Sequence, residues 1–65
     1  LVQHRDGHWW VIDFKSHASP QSQADLLLQM RSYVDAVAAL HPGQPVKAAF
    51  LTAQGRCIEV DLGRV

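Results

Sequence analysis

Asp13 and Lys15 stand two positions apart at the end of the apolar run Trp9-Trp10-Val11-Ile12. In an extended strand, residues i and i+2 share a face, so the carboxylate and the amine project together while Phe14 points the other way. A carboxylate at a strand end offers oxygen to a hard divalent cation such as Mg²⁺. An ammonium beside it can position an attacking water and offset charge building up on phosphorus in a transition state. Together they suit hydrolysis of a phosphodiester. The same pattern also occurs as a plain strand-end ion pair, so further residues have to support the chemical reading.

Gln29 and Tyr33 do so. Four apart on a helix, they share a face and touch. At about 100° per residue, Gln29 lies roughly 20° outside the helix's apolar stripe. From that margin an amide and a phenol can hold a phosphate or a base edge. The alternative is a core tyrosine capped by a neighbouring amide. Other residues invite less. His4 and His8 read as exposed hairpin residues rather than ligands. His17 reads as a solvated loop residue, with a substrate contact as its alternative. Cys57 reads as a small buried hydrophobe, since no histidine is placed to activate its thiol.

The elements that must position these groups follow from local signals. Asp6-Gly7 between two strand-like runs is a strong hairpin signal, because a type I′ turn needs positive φ at both central residues. The second strand should end near Lys15, and its continuous apolar run suggests an interior strand covered on both faces. Ser16 to Ser22 is a polar loop containing Ser19-Pro20. Two helix starts are open beyond it, Ser19 as N-cap with Pro20 first in the helix, or Ser22 with Asp25 three later. The helix should run to about Leu40, stopped by His41-Pro42-Gly43. Leu26, Met30, Tyr33, Val37 and Leu40 form one apolar stripe, widened by Leu27 and Val34, with Arg31, Ser32 and Asp35 on the solvated face. Val46 to Thr52 is a strand, Ala53 to Arg56 a turn, and Cys57 to Leu62 a last strand with one wet face. The chain is thus expected to be α+β: a β-hairpin, one crossover helix between parallel strands, then a second β-hairpin (ββαββ).

Bulk properties narrow the classes. Sixty-five residues make one small domain, and a chain this short buries only about 60% of its unfolded surface. A composition of 48% hydrophobic and 18% charged residues argues against disorder. Six basic and six acidic residues cancel, which counts against strong autonomous nucleic-acid affinity. The single cysteine rules out an internal disulfide and a cysteine-based zinc site. No apolar run reaches the length of a membrane span, and a cytoplasmic setting is expected. Leu1 opens directly in a strand without an initiator Met, which suggests an excerpt of a longer chain.

Ile12-Asp13-Phe14-Lys15-Ser16, followed by Gln29-Met30-Arg31-Ser32-Tyr33, resembles the "DYKT … QLxxY" signature of the RecB-type nuclease family of the PD-(D/E)XK superfamily. The likeness runs from about Val2 to Val60 and is nearest in texture to the C-terminal nuclease domain of RecB and AddA helicase–nuclease subunits. It implies that residues 1–65 are the C-terminal portion of a restriction-endonuclease-like mixed-sheet domain. It implies Asp13 as a metal-binding carboxylate, the Phe14 backbone carbonyl as a further metal ligand, Lys15 as the catalytic lysine, and Gln29 and Tyr33 as DNA-binding. The implied cofactor is Mg²⁺ or Mn²⁺; an iron–sulfur cluster would need four cysteines. Phe14, Ser16 and Met30 depart mildly from the signature. The family's other metal-binding aspartate, in a Gly-x-x-Asp-Arg motif on the preceding strand, would lie just before Leu1, and Asp6 sits at the wrong end of the hairpin to replace it. One carboxylate and one carbonyl cage Mg²⁺ poorly, so this chain alone is expected to be inactive and its cation site unfilled. The implied setting is double-strand break repair, with DNA reached through the full-length protein and a helicase–nuclease partner subunit. A non-catalytic module for DNA guidance or subunit interaction is the alternative, and self-association through a sheet edge or the Trp9/Trp10 surface a third.

Overall fold

The computed structural model describes residues 1–16 and 19–62; the expectation for His17 lies outside them. Asp6 and Gly7 both take positive φ, 52° and 77°, as a two-residue type I′ turn demands. They fold β1 (Val2–Arg5) antiparallel onto β2 (His8–Lys15), with Val2 opposite Val11 and Arg5 opposite His8. A 3₁₀ turn (Pro20–Ser22) leads into α1 (Ala24–Leu40). This helix returns the chain to β3 (Val46–Thr52), which runs parallel to β2 with Val11 beside Ala48 and Lys15 beside Thr52. β4 (Cys57–Val60) closes the second hairpin antiparallel to β3. The sheet is four-stranded and mixed, in the order β1-β2-β3-β4. This is the expected α+β, ββαββ arrangement.

α1 lies across one face of the sheet. Val11, Met30, Val37, Ala48 and Phe50 form the core, and Trp9, Leu26, Leu27, Val34, Val46, Val60 and Leu62 pack around it. Trp9 ties the start of β2 to the loop after the helix. Its ring stacks on His41 at 3.8 Å between centroids, and its Nε1 donates to Gln44 Oε1 at 2.7 Å.

Five expectations need correction. Neither serine caps α1. Ser22 Oγ donates back to the Ser19 carbonyl at 2.8 Å, so it closes the 3₁₀ turn, and Gln23 becomes the N-cap. β2 is central in the sheet but covered on one face only, because a single helix cannot shield both; Phe14 on the other face is 60% exposed. The helix stripe is rotated from the expected one. Met30 and Val37 are its buried centre, while Tyr33 and Leu40, about 60° and 80° further round, are exposed. The same rotation leaves Arg31 half-buried at the opposite margin. β4 ends at Val60, although Leu62 still packs on the core. Cys57 is exposed, because its partner in register is Leu51, on the face that α1 leaves open.

Candidate active site

The pleat of β2 places Asp13 and Lys15 on the helix-covered face, with Phe14 on the other. The Lys15 ammonium lies 3.2 Å from Asp13 Oδ2, and both side chains are largely covered, at 21% and 23% exposure. α1 crosses above this strand end. There Lys15 Nζ donates a hydrogen bond to Gln29 Oε1 at 3.0 Å. One turn later, Tyr33 lines a groove of about 400 Å³ together with Val2, Val11, Ile12, Asp13 and Val37. Lys15 thus contacts both Asp13 and Gln29 at the end of β2, and Tyr33 lines the adjoining groove with Asp13.

Asp13 Oδ2 is shut off from solvent and receives no hydrogen bond. The nearby ammonium balances its charge without donating to it. Burying a carboxylate oxygen without a full set of partners is costly, so such an oxygen, with the Lys15 ammonium 3.2 Å away as its counter-charge, could take a further cationic partner. Ile12 exchanges backbone hydrogen bonds with Leu1, its N–H donating at 2.8 Å and its carbonyl accepting at 3.0 Å. Backbone groups of alternate strand residues point to the same side. The Phe14 carbonyl is thus aimed to the β1 side of the strand.

These two oxygens suit Mg²⁺ or Mn²⁺ as an anchor rather than as a cage. Mg²⁺ commonly binds through one or two carboxylates, filling its remaining positions with water and substrate phosphate. Among the described residues, no group of three or more His, Cys, Asp or Glu side chains could hold a metal. His4 instead tilts against Trp9 at 4.8 Å, and His8 Nδ1 lies 2.9 Å from the Asp6 carbonyl. Both belong to the hairpin, His4 exposed and His8 half-buried rather than exposed as expected. Asp6 is in the turn, at the far end of β2 from Asp13.

Sequence reasoning did not foresee the Lys15–Gln29 hydrogen bond. It joins residues 14 positions apart, across a loop whose path no local pattern dictates. Nor did it foresee Thr52, which neighbours Lys15 on β3 and is 2% exposed, its Oγ1 accepting from the Arg56 N–H at 3.2 Å. The alternation along β3 carried the only signal for Thr52.

A family model of the PD-(D/E)XK nuclease superfamily matches residues 1–64. Members of that superfamily are generally nucleases, hydrolases that typically use divalent metals. No curated protein and no solved structure matches the chain. A match over almost the full length, on a four-stranded mixed sheet crossed by one helix, places the sequence: this chain belongs to the PD-(D/E)XK nuclease superfamily.

Proposed function

We propose that this chain carries the catalytic lysine and one metal-binding carboxylate of a DNA nuclease of the RecB-like helicase–nuclease type, acting in the cytoplasm on DNA ends during double-strand break repair. The observation that carries this reading is the contact of Lys15 with both Asp13 and Gln29 at the end of β2, beside the groove that Asp13 and Tyr33 line, in a chain of nuclease family. The helicase–nuclease setting, its ATP-driven partner subunit and the repair role rest on the likeness of the Asp13–Lys15 and Gln29–Tyr33 motifs alone.

In this reading Asp13 and the Phe14 carbonyl would hold Mg²⁺ or Mn²⁺, which would supply Lewis acidity and an activated water when bound. Lys15 orients the attacking water through one N–H and stabilises charge gathering on the phosphoryl oxygens. Tyr33 and Gln29 present a phenol and an amide NH₂ to the DNA strand along the groove. α1 covers the site from above and reduces the water around Lys15, which strengthens its field at the phosphate. A single carboxylate holds such a cation weakly, so a further carboxylate from outside the described residues completes the site. The chain by itself cleaves little.

The test is cleavage of linear DNA with Mg²⁺ or Mn²⁺ by the protein that carries this chain. Asp13→Ala and Lys15→Ala are each expected to lower the rate by at least about 10³-fold, beyond the 10²–10³ typical for loss of one transition-state donor. Undiminished cleavage by either variant refutes the site assignment. A second reading, a non-catalytic DNA-guidance or subunit-interaction module, is favoured by the lack of three clustered metal ligands among the described residues. DNA binding without any metal-dependent cleavage by the intact protein would select it.

A further inference from the structure

Resting on the nuclease reading above, we propose that Gln29 is a positioning residue for Lys15, drawing its ammonium away from full hydrogen bonding with Asp13. A lysine ammonium has three N–H donors, and a carboxylate is normally the stronger acceptor because charge shortens and strengthens the bond. Here the preference is reversed. The formed hydrogen bond goes to the neutral amide oxygen of Gln29 at 3.0 Å. Asp13 Oδ2, only 3.2 Å from the same nitrogen and buried, receives none.

The arrangement follows from the elements. Lys15 leaves the last position of β2, and its stem rises toward α1, where Gln29 reaches it from the helix margin. Asp13 stands two residues earlier on the same strand face, so the ammonium lies between a carboxylate and an amide and directs its hydrogen bond to the amide. The amide takes the directed bond and the carboxylate keeps only the charge. Two consequences matter for hydrolysis. Asp13 Oδ2 keeps an unused acceptor position, beside an ammonium 3.2 Å away that has its own anchor on the helix. Lys15 keeps a fixed position when a cation takes Asp13, because its remaining anchor is Gln29. The Gln29 amide NH₂, not used by Lys15, is left to face a phosphate oxygen, so one side chain links the DNA strand to the lysine. Gln29 therefore acts through Lys15 in addition to any contact with DNA.

Gln29 is exposed on a helix, and Met is of similar length and a good helix former, so Gln29→Met folds as the parent does. In the protein that carries this chain, the ¹⁵N resonance of the Lys15 ammonium is expected to shift in Gln29→Met and to return toward the parent value in Gln29→Glu, which restores an oxygen acceptor. An unshifted resonance in Gln29→Met overturns the inference. In DNA cleavage with Mg²⁺, Gln29→Met is expected to lower kcat about 100-fold, the scale of a misplaced catalytic group, with KM for DNA changed less than threefold. In a Lys15→Met background the same substitution is expected to change the residual rate less than twofold, because its route of action is gone. A raised KM at constant kcat, or an equal loss in both backgrounds, also overturns it. If the parent protein does not cleave DNA at all, the nuclease reading fails while the ammonium resonance still decides whether Gln29 positions Lys15.

Discussion

Asp13 and Lys15 depend on one another in a way that separates their structural from their chemical role. Each side chain keeps about a fifth of its surface in contact with water, so solvent screens part of their attraction. Removing the ammonium nonetheless leaves a buried carboxylate oxygen with neither a hydrogen bond nor a counter-charge. Lys15→Met is therefore expected to destabilise the fold by about 1 kcal/mol, measured by urea unfolding. Adding Asp13→Asn to that variant should recover most of the loss, because the stranded charge is gone. Cleavage should stay at or below about a thousandth of the parent rate in both. A stability loss of the single variant that the second substitution fails to relieve would show that the lysine stem, and not the charge, was what mattered.

At the level of elements, the hairpin turn and the helix face carry distinct local demands. Gly7 sits at φ 77° with nothing within 4 Å of an added Cβ, so Gly7→Ala meets no neighbour and suffers only the left-handed backbone penalty, about 1–2 kcal/mol. Thermal denaturation should show this as a lowered midpoint. On α1, position relative to the sheet matters more than residue type. Met30 is fully buried and Leu28, two positions earlier, is 71% exposed. Met30→Ala is expected to cost 2–5 kcal/mol, as is usual for emptying a core site. Leu28→Ala should stay within about 0.5 kcal/mol, as surface substitutions do. Equal costs in chemical denaturation would mean that the helix sits in a different rotation over the sheet.

For the molecule as a whole, charge and coverage set what it can do alone. Six basic and six acidic residues cancel, and Lys15 at the site and Lys47, with Glu59 at 3.6 Å, are engaged. Binding of DNA by this chain is therefore expected to be weak. Its logarithmic affinity should fall with log salt at a slope no steeper than about −2, since few phosphates are neutralised. Fluorescence anisotropy across a salt series measures this, and a steep slope would reveal a basic surface that the composition hides. α1 covers one sheet face. The other presents Trp10, Phe14, Leu51 and Cys57 beside the Lys47–Glu59 pair, with Lys47 Nζ 5.7 Å from the Trp10 ring.

Much of this was legible in the sequence because it depends on local rules. Asp6-Gly7 specifies its turn through the φ values both residues tolerate. The apolar run ending in Asp13-Phe14-Lys15 specifies a strand and which side chains share a face. Spacing of four puts Gln29 and Tyr33 on one side of α1, and His41-Pro42-Gly43 ends the helix at Leu40. What local rules do not contain is the rotation of α1 about its own axis and the choice of the sheet face it covers. Those depend on the parallel register of β2 with β3 and on how Met30 and Phe50 fill the space between helix and sheet. From that packing alone come the exposure of Leu40 and Cys57 and the one-sided cover of β2. It also decides that Lys15 bonds to an amide 14 residues away while the nearer Asp13 keeps a buried oxygen without a donor. The sequence by itself determined which residues could do chemistry and in which elements they stand. The tertiary structure decided which of them touch, because contact across elements is a property of the packed core and not of spacing along the chain.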